Sequence, residues 1–352
     1  MERYAIKQLI DWKNKKNHKP LIIQGARQVG KTWLMQEFGK RYYKQVAYIN
    51  FDLDEKSREI FGIDYDTNRM IMDIGLATKI KINPEDTLII LDEIQECPRA
   101  LTSLKYFREN APQYDIIVAG SLLGVACHEG TGFPVGKVSF MNLYPLSFEE
   151  FLLAMDEERF VELLNNKDYK TIKLFNNKYA KLLKQYCYVG GMPEVVSDFV
   201  ENKDFMSVRE LQNEILSAYE EDFTKIDGTG LAGDIYDAIP ASLSGNASRY
   251  VLSNAREGTR LEQVRELIPD ILSSYTVNIA YHANNPGVGM SLEKDAGRYK
   301  LFTSDVGLFI TLAFKDKKYT ENIIYNKLLS DKLEANLGYI YENVVAQMLV
   351  AR

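Results

Sequence analysis

The sequence predicts an α/β protein: a parallel sheet with helices on both faces, followed by helical segments and a smaller mixed unit. Three observations predict it. Between Leu21 and about Phe148, short apolar runs alternate with helical patterns, the rhythm of βαβ units. The runs are continuously apolar rather than alternating, as strands covered on both sides should be. The first of them opens onto a glycine-bounded loop and a helical pattern, "LIIQGARQVGKTWLMQEF", Leu21 to Phe38.

Residues 1–20 read as an amphipathic helix ending in a Lys-rich turn. The strands are expected at "PLIIQ", "VAYINF", "TLIILD" and "DIIVAGS". The loop after the first strand, Gly25-Ala26-Arg27-Gln28-Val29-Gly30-Lys31-Thr32, fits G-x-x-x-x-G-K-[ST] without a mismatch. Glycines at both ends let the backbone wrap closely, so that its N–H groups converge on phosphate oxygens. The helix beginning near Lys31 and Trp33 points its positive end at the same anion. Lys31 is placed to reach the β- and γ-phosphates and the Thr32 hydroxyl to ligate Mg²⁺. The expected ligands are therefore ATP or ADP and Mg²⁺, on a P-loop NTPase sheet.

A phosphate loop of this kind needs an acidic residue at the end of a neighbouring strand, and "TLIILDEIQECP" supplies two. Asp92 is assigned to the Mg²⁺ shell and Glu93 to polarising a water, which favours hydrolysis over transfer to another acceptor. The strand "DIIVAGS" ends in Ser121, a small polar residue suited to sensing a γ-phosphate by a hydrogen bond. A turn-forming serine is an equal reading of that position.

From Glu149 to Phe223 the pattern is helical: "SFEEFLLAM", "NKYAKLLKQYCYVGGMPEVVSDFV" and "VRELQNEILSAYEEDF". "KIDGTGLAGD" follows. Its Gly228, Gly230 and Gly233 spell G-x-G-x-x-G, but no apolar strand precedes them, so they read as a flexible hinge rather than a dinucleotide loop. Ile235 to about Ala313 mixes helices and short strands, as a small winged-helix unit would. The last stretch is helical in pattern to the final residue. Its apolar stripe is Leu337, Ile340, Tyr341, Val344, Val345, Met348 and Leu349.

Composition narrows the class. The chain has 352 residues, 46% hydrophobic and 26% charged, with net charge −6, so bulk charge argues for neither nucleic acid nor an anionic membrane. Cys97, Cys127 and Cys187 are scattered, without CxxC or His-Cys clustering, which disfavours a zinc site or a disulfide framework and fits a cytoplasmic protein. No run approaches the roughly 20 apolar residues of a membrane span. His18, His128 and His282 share no metal-binding spacing and read as surface or loop residues. Lys13, Lys15, Lys16 and Lys19 read as a solvated run. Arg249, Arg256, Arg260 and Arg265 make DNA contact conceivable, although winged helices also dock proteins.

The ordered stretches "GARQVGKTWL", "INFD", "LDEIQECPRALTSLKYFRE", "AGSLLG", "FPVGKV", "YPLSFEEFL", "GGMPEVV" and "YKLFTSDVGL" resemble the AAA-type ATPases of the AAA_14/DUF4143 family. The resemblance implies an ATPase core over 1–150, a helical lid over 151–225 and a winged-helix-like segment over 226–313. It implies that 314–352 begins a region related to the PD-(D/E)XK nuclease fold. "YENVVAQMLVA" is similar to the first helix of that region, with Glu342 at its acidic position. The Asp strand and E-x-K strand of the family pattern do not follow, so no nuclease activity is carried over. Where an arginine finger is expected, "FPVGKV" has Lys137, and Arg108 is the other candidate, which leaves a homo-oligomer open. Three functions stand: a Mg²⁺-dependent ATPase coupling nucleotide state to lid and C-terminal movement, a slowly hydrolysing nucleotide-gated switch or scaffold, and the ATPase module of a DNA-binding or DNA-processing protein. The partner is then DNA or another protein, reached through the winged-helix-like and C-terminal segments.

Overall fold

The computed structural model describes residues 2–120, 133–245, 249–285, 287, 289–315 and 338–351. The chain divides into two compact units, Arg3–Leu143 and Tyr144–Arg352, the latter with residues 1–2.

The first unit is a five-stranded parallel sheet with flanking helices. Its strands are β1 (Leu21–Gln24), β2 (Gln45–Asn50), β3 (Thr87–Asp92), β4 (Asp115–Ala119) and β5 (Ser139–Asn142), in the order β2-β3-β4-β1-β5. Every residue of β3 is buried, as its unbroken apolar run predicts. The helices are α1 (Ala5–Asn14), α2 (Lys31–Tyr42), α3 (Glu55–Ile60), α4 (Thr67–Thr78) and α5 (Pro98–Asn110). Helix α2 turns Leu34, Met35 and Phe38 into the core, and α5 begins with proline at its first position, where no backbone donor is lost. Strand β5, "SFMN", is not among the expected strands, because it is short and only one of its residues is buried.

His18 is not a free surface residue. Its Nε2 lies 2.7 Å from Asp115 Oδ1, and its ring meets Trp12 edge-on. The lysine run is likewise partly engaged: Lys13 donates to Tyr42 O and stands 3.3 Å over the Tyr43 ring, and Lys19 donates to Gly136 O.

The second unit is mostly helical: α6 (Phe148–Ala154), α7 (Glu158–Asn165), α8 (Tyr169–Leu174), α9 (Asn176–Val189), α10 (Pro193–Asn202), α11 (Phe205–Ile226), α12 (Leu231–Asp237), α13 (Ile239–Ser244) and α14 (Leu261–Ser273). An antiparallel pair, β6 (Val277–Ala283) and β7 (Lys294–Thr303), then leads to α15 (Val306–Ala313), and α16 is Gly338–Val350. Helix α15 is buried all round, from Val306 to Leu312, and packs on α9 and α11.

Two expectations are corrected here. The Gly228–Gly233 stretch is a capped turn in place of a free hinge: the Asp227 carboxylate accepts the N–H groups of Thr229, Leu231 and Ala232. The buried face of α16 is also not the predicted stripe. Ile340 and Val344 are buried, but Tyr341, Val345 and Leu349 face outward, and Leu337 lies outside the described residues. Asn343 and Gln347 are buried in their place. Asn343 Oδ1 accepts from Thr303 N, while Gln347 accepts from Val306 N and donates to Tyr186 OH. With each amide satisfied, the polar side chains cost little to bury and fix the register of the helix.

Candidate functional site

The site is built at the C-terminal ends of the parallel strands. Strand β4 lies between β1 and β3, with Ile23 paired to Ala119 and Leu91 to Val118. The loop leaving β1 and the acidic pair leaving β3 therefore end at the same level, one strand apart. Their separation in sequence is closed by one hydrogen bond: Thr32 Oγ1 donates to Asp92 Oδ2 at 2.7 Å.

The loop has the backbone of an anion cradle. At Gly25 an added Cβ would lie 2.3 Å from Leu143 O, so no larger residue fits. Gln28 (φ +63°) and Gly30 (φ +92°) are left-handed, which turns successive N–H groups toward a common centre. Ala26 and Val29 are buried beneath, while Arg27 is half-buried and Gln28 exposed. Helix α2 starts at Lys31 with no side-chain cap. The Lys31 ammonium folds back over the loop and donates to Gly25 O and Ala26 O, each at 2.8 Å. Trp33 stands at the rim, 41% exposed.

Asp92 is 1% exposed. Burial pushes its carboxyl above the usual carboxylate range, against the pull of hydrogen bonds from Thr32, Tyr48 and the Glu93 N–H. Tyr48 OH donates to Asp92 Oδ2 at 3.0 Å and accepts from Asn50 Nδ2 at 3.3 Å. Burial pushes the Tyr48 hydroxyl up to about 12, so it stays protonated as the donor. Glu93 has a left-handed backbone (φ +50°), and its Oε2 accepts from Gln95 Nε2 at 2.7 Å.

Tyr48, Asn50 and Gln95 are contacts that motif matching does not find. A signal existed for the first two, since they alternate with the buried Ala47 and Ile49 along β2, next to the acidic strand end. Ser121 lies outside the described residues. Neither finger candidate is free: Lys137 Nζ pairs with Glu109 Oε1 at 2.8 Å, and Arg108 donates to His18 O at 3.1 Å. Arg108 thus serves as a structural strut. Glu342 is paired with Lys300 at 2.6 Å.

The donor chemistry fits Mg²⁺ and a polyphosphate. Thr32 and Asp92 offer two hard oxygens at one point, matching a cation that takes one or two protein ligands and completes its shell with phosphate and water. Among the described residues no group of three His, Cys, Asp or Glu side chains converges on a metal position.

Comparison with known proteins agrees with this architecture. Residues 17–152 match a family of AAA domains, in keeping with the P-loop fold of the first unit. Residues 180–319 match a domain of unknown function, DUF8612, and not the DUF4143 region that the resemblance led one to expect. No curated protein matches. Among solved structures, the Walker-type ATPase of Pyrococcus abyssi aligns with 14% identity over 88% of this chain and 95% of its own, at a TM-score of 0.51. The Orc1 protein of Aeropyrum pernix in complex with DNA covers 88% of this chain and 91% of its own, and Cdc6p of Pyrobaculum aerophilum covers 94% of each. Both are 12% identical at a TM-score of 0.32, a level that bears no functional weight.

Proposed function

We propose that the protein binds Mg²⁺-ATP in the loop Gly25–Thr32 and hydrolyses it. The observation that supports this most is the 2.7 Å bond between Thr32 and Asp92, which unites loop and acidic strand end in one donor set. In this reading the backbone from Gly25 to Trp33 and the Lys31 ammonium hold the phosphates, and Thr32 and Asp92 hold the cation. When bound, Mg²⁺ supplies neutralisation of charge on the phosphate oxygens. Glu93 accepts a proton from the attacking water as the new P–O bond forms and the bond to ADP breaks. Ser121 remains a proposed sensor of the terminal phosphate.

The helical segment 151–225 is proposed as a lid, and 226–313 as a winged-helix-like module. The order of α12, α13, α14 and the β6–β7 hairpin supports the second assignment. We read its partner as a protein in preference to DNA. The outward face of α14 carries Glu262 and Glu266 against Arg265, and Arg256 is committed to Asp234 at 2.6 Å. A face of mixed charge such as this carries no net positive footprint for a phosphate backbone. Among the described residues no helix is long and apolar enough to cross a membrane, and a cytoplasmic location is proposed from the scattered cysteines.

The test is steady-state ATP hydrolysis by the wild type and Glu93→Gln, with and without DNA. Glu93→Gln keeps ATP affinity within roughly tenfold and loses about 10²- to 10⁴-fold in turnover, the usual cost of a general base. Wild-type turnover no faster than the variant's refutes hydrolysis in favour of a nucleotide-gated switch. Strong stimulation by DNA refutes the choice of a protein partner.

A further inference from the structure

We infer that Gln95 is a positioning residue for hydrolysis, holding the Glu93 carboxylate in its working orientation. This rests on the reading of Glu93 as the base. Glu93 is a non-glycine residue in the left-handed region, at φ +50° and ψ +47°. Such a backbone is disfavoured for a residue with a Cβ and persists only where surrounding contacts over-determine it.

Three hydrogen bonds do so. Glu93 N donates to Asp92 Oδ1 at 3.1 Å, and Glu96 N donates to Glu93 O at 3.0 Å, which together fix the backbone turn. The third comes from Gln95 Nε2 at 2.7 Å and reaches the carboxylate itself.

The strained backbone has a geometric purpose. Side chains two residues apart diverge in an α-helix. The left-handed turn at Glu93, followed by the 3₁₀ turn Ile94–Glu96, brings residues 93 and 95 together. Gln95 is itself held in place, because Ile94 is fully buried and Cys97 N donates to Ile94 O at 3.0 Å before α5 begins.

The chemistry of the donor matters. A lysine or arginine here would neutralise the base with a full positive charge. The amide restrains one oxygen and leaves the carboxylate its charge. Orientation of the reacting group is where small displacements are expensive: about 1 Å costs on the order of 10²-fold in rate.

The experiment compares wild type, Glu93→Gln, Gln95→Leu and Gln95→His for kcat, ATP affinity by calorimetry and thermal midpoint. Gln95→Leu is expected to lower kcat by about tenfold to hundredfold while ATP affinity stays within about threefold. Gln95→His, which offers an N–H at similar reach, restores most of that turnover. Wild-type kcat in Gln95→Leu overturns the inference, as does failure of Gln95→His to exceed Gln95→Leu at equal thermal midpoint. Absence of wild-type turnover above Glu93→Gln overturns the hydrolytic reading beneath it, and the inference with it.

Discussion

Replacing Asp305 by asparagine should flatten part of the pH dependence of stability. Asp305 caps α15 and is fully buried. Its Oδ1 accepts from Leu308 N at 3.0 Å and its Oδ2 from Gly191 N at 2.6 Å. It thereby ties "GGMPE" to "TSDVGL", two stretches over a hundred residues apart. The fit is tight: Gly190 has φ +76°, and a Cβ there would lie 2.2 Å from Asp305 Oδ1. Burial pushes the carboxyl from 3.8 to about 6, outweighing the N–H donors from Gly191, Leu308 and Gly307 that favour its charged form. A native pKa raised above the unfolded one means that the folded protein binds the extra proton. The stabilisation is therefore complete below pH 3.8 and is lost as pH rises through about 6. Two units correspond to about 3 kcal/mol. Tyr219 and Tyr236 sense the same charge, but burial drives both hydroxyls up, far outside this window. Urea unfolding at a series of pH values, for wild type and Asp305→Asn, reads the difference directly. Wild-type stability minus that of the variant should fall by about 2 kcal/mol between pH 4 and 6.5, the rest of the change lying below pH 4. A flat difference across that range refutes the assignment, whatever the absolute cost of the substitution.

Two further substitutions test the first unit. Lys31→Ala should abolish ATP binding in calorimetry, since it removes the ammonium that folds over the loop; undiminished affinity would rule out the phosphate-loop assignment. Thr32→Ala should weaken binding chiefly when Mg²⁺ is present. The bond from Asp115, helped by its charge, raises the His18 pKa above 6.5 against the opposing effects of burial and Arg108. The pair's stabilisation is thus present below pH 6.5 and lost as pH rises through the folded value. His18→Asn should remove this loss, on the order of 1.5 kcal/mol for a charge-assisted bond, between pH 6 and 8.5. A wild type whose stability is level over that range contradicts it.

How much the sequence discloses depends on whether a residue's partner is local. Strands β1, β3 and β4 are legible because each is a continuous apolar run between turns, and burial on both faces makes that pattern unambiguous, while the edge strand β2 is legible from its alternation, with Ala47 and Ile49 buried. The loop and the Asp92–Glu93 pair are legible because phosphate and cation chemistry fixes both residue type and spacing. Strand β5 escapes because an edge strand with one buried residue has no run to detect. The buried face of α16 escapes for a different reason. Asn343 and Gln347 stand four apart, so they share a face, and a pair of amides on a helix normally marks the wet side. Here they mark the dry side, because Thr303, Val306 and Tyr186 supply the backbone and hydroxyl partners that make burial tolerable. Those partners lie from about forty to over a hundred and fifty residues away, and no periodicity in the helix encodes them. The same holds within the site. Thr32 and Asp92 are found by their motifs, but Tyr48, which shares the Asp92 oxygen with Thr32, belongs to no motif and is placed there by the register of β2 on β3. What a motif specifies is the ligand's chemistry. The residues that hold the motif in position are chosen by the fold, and only the fold shows them.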